Sequence, residues 1–307
     1  MTALIAEQVL NGLQLGVLLF LIAAGLTLIF GVMDFINLSH GSLFMLGAYL
    51  SVTFMGVLGN FFASILCACL VVFVIGVLFE VLLVRHLYNR SHLDHVLVTF
   101  GMILFANEAV SLIWGSVPIF SGLPAELSSQ VNLPFGIEYP SYRLLVIFSG
   151  IVLAGGLFFL INRTRIGMLV RAGASNRTMV SILGVNIKLL YTLVFGLGAL
   201  LAAFAGAMAG PLLSVQPGMG EAILIQSFVV VVIGGLGSIN GALVAALIVG
   251  LIDTIGRAFL RDILGFVMSP SVASEAGPAL SSMMIYILMA VVLFFRPEGL
   301  VPMQKRS

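Results

Sequence analysis

The polar residues that could do chemistry in this chain are concentrated in one short run, Gly31–Leu50, which reads GVMDFINLSHGSLFMLGAYL. Apolar segments flank the run. Polar groups and helix-loosening glycine are costly at membrane depth unless they face protein or a water-filled path. The run therefore predicts either the lining or hinge of a pathway, or a packed helix break whose side chains satisfy freed backbone groups. The residues concerned are Asn37, Ser39, His40, Gly41 and Ser42, with Asp34 before them.

Two acidic residues in apolar segments are the next candidates. Glu80 lies near the end of its segment, where it can reach the interface beside Arg85. Glu108 lies deeper, next to Asn107, and an ionisable group at such a position is a functional candidate by default. A partner in an adjacent helix or subunit is an equal alternative. One carboxylate without a buried relay does not indicate a proton-coupled carrier.

Several kinds of chemistry have no motif in this sequence. No Gly-Lys pair exists, so there is no phosphate-binding loop, and there is no H-E-x-x-H zinc motif. His40 and three histidines of a basic loop, His86, His92 and His95, make no metal-binding spacing, and we expect those three to be solvated. Ser39, His40 and Ser42 are too close in sequence for a nucleophile and its base. The sequence therefore predicts no catalytic residues, no metal site and no bound cofactor.

Composition predicts an all-α polytopic membrane protein. Of the 307 residues, 61% are hydrophobic and 8% are charged, with a mean hydropathy of +1.23, whereas soluble domains carry about 25% charged residues. The net charge of +1 provides no field for nucleic acid. We expect one transmembrane domain over residues 1–307, surrounded by lipid, with about 8–9 spanning helices. Two of its elements are predicted to be glycine-broken or re-entrant.

Apolar stretches of about 20 residues, long enough to cross a bilayer, recur along the chain. The predicted spans are Gln8–Phe30, Ile36–Leu58, Phe61–Val84, Val96–Trp114, Leu144–Ile161, Leu189–Leu213, the long element Ile223–Ile255, and Leu280–Phe295.

Lys and Arg predict the orientation, because they favour cytoplasmic loops. They mark three segments, around Arg85 and Arg90, in the loop 163–188, and at the C-terminus with Arg296, Lys305 and Arg306. The loop 115–143 contains Glu126 and Glu138 and is predicted to be external. The N-terminus is then external and the C-terminus cytoplasmic.

In this orientation the loop 163–188 and the C-terminus are both cytoplasmic, and one span crosses before the element Ile223–Ile255 and one after it. That element must therefore cross the membrane an even number of times, and its glycine-rich centre is the predicted break. The break residues are Gly234, Gly235, Gly237, Ser238 and Asn240. Ser39–Leu43 (SHGSL) resembles Ile239–Leu243 (INGAL), and paired broken segments can mark a transport site between repeats. An internal pseudo-repeat is one interpretation, and chance similarity between glycine-rich segments is the other.

Small residues also recur every four positions, at Gly198, Ala202, Gly206 and Gly210, and again at Gly12 and Gly16. This spacing predicts helix backbones in close contact.

The basic loop 163–188 contains a predicted helix, Met168–Leu183, that ends at Gly184. A short helix on the cytoplasmic face suits docking into a groove of another protein. The alternative is a loop whose arginines only set the topology.

Four motifs together resemble the H-type membrane subunit of bacterial branched-chain amino-acid ABC importers. They are NLSHGSLFMLGAY within Gly31–Leu50, RAGASNRTMVSILGVN at Arg171–Asn186, VVIGGLGSINGA at Val231–Ala242 and FRPEGL at Phe295–Leu300. The resemblance extends over nearly the whole chain. It implies that the second motif couples to an ATPase through Arg171, Ala172, Ala174, Ser175, Asn176 and Gly184. Many members have an acidic residue where this chain has Ser175 and Asn176.

The resemblance also implies a transport subunit of the bacterial inner membrane, with no enzymatic activity of its own. Its expected partners are a homologous second permease, two cytoplasmic subunits that use ATP, and an external solute-binding protein. Leucine, isoleucine or valine is the expected solute, although relatives carry urea, short amides or other small solutes. A stand-alone secondary carrier or channel for a small polar solute is the alternative function.

Overall fold

The computed structural model describes residues 2–124, 127–134, 137–266 and 268–301. Glu126, Lys305 and Arg306, which contributed to the predicted topology, lie outside the described residues. Within them the chain forms eleven α-helices, a 3-10 turn at Val84–Leu87 and one antiparallel hairpin. The helices are α1 (Thr2–Met33), α2 (His40–Leu58), α3 (Phe61–Leu82), α4 (His92–Trp114), α5 (Ser141–Arg163), α6 (Arg165–Ser175), α7 (Arg177–Ile182), α8 (Ile187–Ala209), α9 (Met219–Gly234), α10 (Ile239–Gly265) and α11 (Pro270–Phe295), and the strands are β1 (Gln130–Leu133) and β2 (Ile137–Pro140).

Eight of these helices are long and apolar enough to cross a membrane, and α9 is a shorter apolar helix of 16 residues. The eight are α1 to α5, α8, α10 and α11. The chain is therefore a multi-pass membrane protein, and the predicted all-α polytopic class is confirmed.

Most predicted spans have different ends in the structure, and the first and the last helix begin six and ten residues earlier than predicted, at Thr2 and Pro270. The span predicted from Ile36 begins at His40, and the span predicted to end at Leu213 ends at Ala209. The last helix begins at Pro270 rather than Leu280, because its first turns carry exposed polar residues that hydropathy does not register as part of a span.

Both predicted helix breaks are present. Residues 34–39 are not helical, and Asp34 adopts a φ of 53°. The long element Ile223–Ile255 is divided between α9 and α10, where Gly235 and Gly237 have φ values of 104° and 82° that favour glycine. The Ser238 hydroxyl accepts the N–H of Gly241 at 3.1 Å and so caps α10. This element therefore forms two helices, α9 and α10.

The helix ends gather on two faces of the bundle. Arg85, after α3, donates to Thr192 near the start of α8, and the C-terminal segment bonds to the end of α9. We call this side the basic face. On the opposite side, Tyr139 of β2 donates to Asn11 in the first turns of α1. We call that side the hairpin face.

Helix α1 lies at the centre of the bundle. In its most apolar stretch of 18 residues, 83% of the residues are buried, against 17% for α4 and 11% for α11. It packs closely because its small residues meet small residues of α10. A Cβ at Gly16 would lie 2.9 Å from the Ala246 carbonyl oxygen, and one at Gly250 would collide with the carbonyl of Gly12. Gly206 meets Phe44 in the same way, so the four-residue spacing did predict close backbone contacts.

We predict that Gly250→Ala destabilises the protein by about 1–3 kcal/mol, because the added methyl forces α1 and α10 apart. Gly155→Ala on α5 is the matched control, since a Cβ there meets no atom within 4 Å. Thermal unfolding in detergent should show a lower midpoint for the first variant only. Equal midpoints for both variants would contradict the close packing of α1 on α10.

Candidate functional site

The polar run predicted to be functional is packed inside the subunit. Asn37 and His40 are fully buried, and Ser39 and Ser42 are 4% and 7% exposed. The Ser39 hydroxyl donates to the Asn37 side-chain oxygen at 2.7 Å. These groups face protein rather than lipid, as the cost of polar groups at membrane depth requires.

His40 lies where α1 crosses α8. A Cβ at Gly25 would lie 2.8 Å from the His40 Nε2 and 2.9 Å from the Gly198 carbonyl oxygen. Gly25 precedes the end of α1 by eight residues, which is about 12 Å along the helix. Helix α2 therefore begins inside the bundle, and its first side chain fills the crossing of two other helices.

The segment before His40 leads inward from the basic face. The Phe35 ring stacks on His95 with centroids 4.5 Å apart, and the His95 Nε2 lies 2.9 Å from the Leu87 carbonyl oxygen. His95 is therefore buried, and its expected solvation was wrong, whereas His86 and His92 are exposed. The stack fixes the outer end of the broken segment, and His40 fixes its inner end.

The first turns of α2 and α9 meet by backbone contact. A Cβ on either Gly41 or Gly220 would collide with the carbonyl oxygen of the other. Gly25 and Gly198 show the same reciprocity, at 2.9 and 3.2 Å. Two similar units thus face each other, α1 with α2 and α8 with α9, each with a nonhelical segment between its helices.

The two units run in opposite directions, since α1 ends at the basic face and α8 begins there. This arrangement has the form of an inverted repeat. It differs from the sequence pairing of Ser39–Leu43 with Ile239–Leu243, because the start of α2 faces the start of α9 and not that of α10. Both short motifs follow a break and open a helix, and that local role accounts for their similarity.

The second glycine-rich break lies about 24 Å from this junction, at the other end of the 16-residue α9. The N–H groups of Leu300 and Val301 donate to the carbonyls of Ile233 and Gly234 at 2.8 and 3.1 Å. The chain after α11 therefore satisfies the last carbonyls of α9. The structure does not bring Gly234, Gly235, Gly237, Ser238 and Asn240 together with Asn37 and His40.

Glu108 points outward from α4, while its neighbour Asn107 points inward. The Asn107 amide donates to Glu221 Oε1 at 2.5 Å and accepts the N–H of Gly218 at 3.1 Å. Glu221 lies in the first turn of α9, where a helix N-terminus favours negative charge. Sequence reasoning missed Glu221, although an acid three residues after Gly218, at the start of an apolar helix, is typical of a first helical turn.

Glu80 joins α3 to α8 at the basic face. It is fully buried and accepts from Arg85 at 3.2 Å, from Thr192 at 2.6 Å and from the Tyr88 hydroxyl. Burial and the bond to Glu80 raise the pKa of Tyr88 above its usual value. The pairing with Arg85 was expected, but the network also fixes the end of α3 to the start of α8.

The basic loop forms two helices rather than the one predicted. The Asn176 backbone leaves the helical region, and its side chain accepts the N–H of Met179 at 2.9 Å, which starts α7. Gly184, at φ 84°, follows the end of α7. Among the other predicted coupling residues, Arg171 donates to the Ile161 carbonyl, Ala172 and Ala174 are half-buried, and Ser175 is exposed.

The most exposed apolar side chains of this loop were not among the predicted coupling residues. Met179, Ile182 and Leu183 are 56%, 75% and 75% exposed. They lie on α7 and just after it, at the basic face.

Among the described residues, no group of three or more His, Cys, Asp or Glu side chains could hold a metal ion.

Comparison with known families covers almost the whole chain. Residues 8–293 match the model of the branched-chain amino acid transport system / permease component family. The chain belongs to this family. It is therefore a permease component of a transport system, and such a component works with other subunits.

Individual relatives include the high-affinity branched-chain amino acid transport system permease protein BraD of Pseudomonas aeruginosa, 29% identical over 96% of this chain and 95% of that protein. The corresponding LivH of Escherichia coli is also 29% identical, over 85% and 90%. The ribose import permease protein RbsC of Escherichia coli is 25% identical over 76% and 72%. No solved structure matches the chain.

We predict that Asn107→Asp alone weakens the junction between α4 and α9, by about 1–3 kcal/mol, because it removes a donor and sets two carboxylates against each other. Adding Glu221→Gln should restore most of the loss, since the amide then donates in the reverse direction. Thermal unfolding of both variants and of Glu221→Gln alone measures the coupling. If the stability lost in the double variant equals the sum of the losses in the two single variants, the result would contradict a direct bond between Asn107 and Glu221.

Proposed function

We propose that this chain is the membrane-spanning permease subunit of an ATP-driven importer of branched-chain amino acids or a similar small solute. The observation that carries the proposal is the family match over residues 8–293. The solute is leucine, isoleucine or valine, which is the solute class named for the relatives BraD and LivH. The whole chain, 1–307, forms one permease domain in the bacterial inner membrane.

The basic face is the cytoplasmic side in this proposal. Arg85, Arg90, Arg163 and Lys188 all lie near helix ends on that side, in agreement with the preference of Lys and Arg for the cytoplasm. The C-terminus is then cytoplasmic, and the N-terminus and the loop 115–143 are external. Arg257 lies toward the external side, where it pairs with Asp253 at 2.9 Å.

Two cytoplasmic ATP-binding subunits supply the energy, because the sequence has no phosphate loop and so no site of this kind for ATP. One of them docks on α6 and α7, within the loop 163–188. An apolar surface made by Met179, Ile182 and Leu183 suits burial in a groove of that partner. Asn176 and Gly184 position this surface by starting and ending α7.

Movement of α7 reaches the junction of the two units through α8, which follows after only four residues. Helix α8 carries Gly198 and Gly206, which contact Gly25 and Phe44 of α1 and α2. A shift of α8 therefore displaces His40 and the start of α2. The solute pathway opens beside Asn37, Ser39, His40 and Ser42 when this packing loosens.

The partners outside the cytoplasm follow from the same assignment. A homologous second permease completes the membrane part, and an external solute-binding protein delivers the solute at the hairpin face. This chain binds no cofactor and catalyses no reaction in the proposal.

We predict that Ile182→Asp combined with Leu183→Asp abolishes uptake and reduces co-purification of the ATP-binding subunits more than tenfold. Val117→Asp is the control, because Val117 is 76% exposed and lies in the loop 115–143. Uptake of labelled leucine, isoleucine and valine by the co-expressed subunits measures transport. Uptake by the chain alone, driven by an ion gradient, would refute the proposal and favour a secondary carrier.

A further inference from the structure

Two cavities follow each other along the second half of α10, where this helix packs against α11. The first has a volume of about 180 Å³, and apolar side chains and one glycine line it from Leu251 to Ile263, with Met284 of α11. The second has a volume of about 310 Å³ and lies toward the end of α10. Its lining residues are Arg261, Asp262, Gly265, Phe266 and Ala273. Together the cavities form an apolar groove with a charged end.

The position of the groove along α10 matches one leaflet of a bilayer. Helix α10 begins at Ile239 on the basic face, close to the bonds between the C-terminal segment and the end of α9. Arg261 follows 22 residues later, about 33 Å along the helix. The hydrocarbon core of a bilayer is about 30 Å thick. The Arg261 guanidinium therefore lies at the level of the lipid phosphates on the far side, and the apolar groove extends from there among the acyl chains.

The charged end of the groove contains a cation and an anion side by side. Arg261 and Asp262 are exposed, and neither has a hydrogen bond or ion pair to any residue that the structure describes. The preceding arginine on this helix, Arg257, differs because it is already paired with Asp253 at 2.9 Å. The two unpaired charges line one cavity without bonding to each other. A ligand that carries both charges would satisfy both groups.

A phospholipid with a primary ammonium in its headgroup has all the features that this groove requires. Its phosphate suits a guanidinium, which binds phosphate oxygens in pairs, and basic pockets between membrane helices bind lipid headgroups in this way. Its ammonium donates hydrogen bonds to a carboxylate. A free amino acid also carries both charges, but it would leave the apolar cavity unfilled.

We propose that α10 and α11 bind one phospholipid whose phosphate contacts Arg261, whose primary ammonium contacts Asp262 and whose acyl chain fills the groove beside Leu251 and Met284. The site concerns the chain by itself and does not depend on the proposed function. Because α10 lines most of the groove and α11 contributes Met284 and Ala273, the bound lipid joins the two helices.

Native mass spectrometry of the purified full chain tests the headgroup. The chain in detergent is given phosphatidylethanolamine, phosphatidylcholine or phosphatidylglycerol with identical acyl chains. We predict that phosphatidylethanolamine is retained at least fivefold better than the other two, because the quaternary ammonium of phosphatidylcholine has no N–H and phosphatidylglycerol has no ammonium. Equal retention of the three lipids would overturn the inference, since the groove would then hold any surrounding lipid.

Substitutions test the two charges separately. We predict that Arg261→Gln reduces retention of phosphatidylethanolamine at least fivefold, and that Asp262→Asn abolishes its preference over phosphatidylcholine. Arg296→Gln is the matched control, because Arg296 is an exposed arginine at the other end of α11. Thermal unfolding in detergent without lipid checks that each variant is folded.

Two results would contradict the assignment of these contacts. One is an unchanged lipid preference in folded Asp262→Asn, and the other is an equal loss in Arg296→Gln. Glycerophosphoethanolamine, which has the headgroup without acyl chains, should not displace the lipid at equal concentration. Displacement by this compound would show that the apolar groove adds nothing to binding and would overturn the proposed lipid site.

Discussion

The bundle depends on the backbone contact between Gly41 and Gly220, which allows two helices to begin in its interior. Any side chain at either position would collide with the opposite carbonyl. Because the two helix starts are buried against each other, the nonhelical segments before them stay within protein. That satisfies the requirement that irregular backbone at membrane depth be shielded from lipid. The positions of His40, Asn37 and Glu221 all follow from this contact.

Helix α8 connects this junction to the basic face. Its start is fixed by Thr192 to Glu80, its middle crosses α1 at Gly198, and its second half packs on α2 through Gly206. Since α6 and α7 immediately precede it, force applied at the loop 163–188 has a continuous path of packed backbone to the interior. Packed helices move as rigid elements, so a displacement at one end is not absorbed along the way.

The sequence predicted much of this arrangement because hydropathy and glycine patterns act locally. The two breaks, the number of spans and the small-residue contacts all follow from residues near one another in the chain. The contact of Gly41 with Gly220 could not be predicted, because it joins positions 179 residues apart and glycine carries no sign of its partner. The capping role of Asn176 was missed because the predicted helix Met168–Leu183 runs through it, although Asn is a common N-cap residue. His95 was predicted to be solvated because it was assigned to the same basic loop as His86 and His92. It lies instead on the inward face of α4, against Phe35.

Three acids in or beside the apolar helices, Glu80, Glu221 and Asp253, accept hydrogen bonds from other side chains of the subunit. An ionised carboxylate within an apolar span is expensive in lipid, so it is expected to face protein or water and to pair with another group. Glu80, Glu221 and Asp253 are satisfied by the chain itself, and each joins elements of the subunit or stabilises one helix. Glu108 sits beside the junction, next to the residue that fixes α9, yet it faces away from it. Helix α4 therefore positions the start of α9 through Asn107, and through the contact of Gly220 with Gly41 it also supports the start of α2.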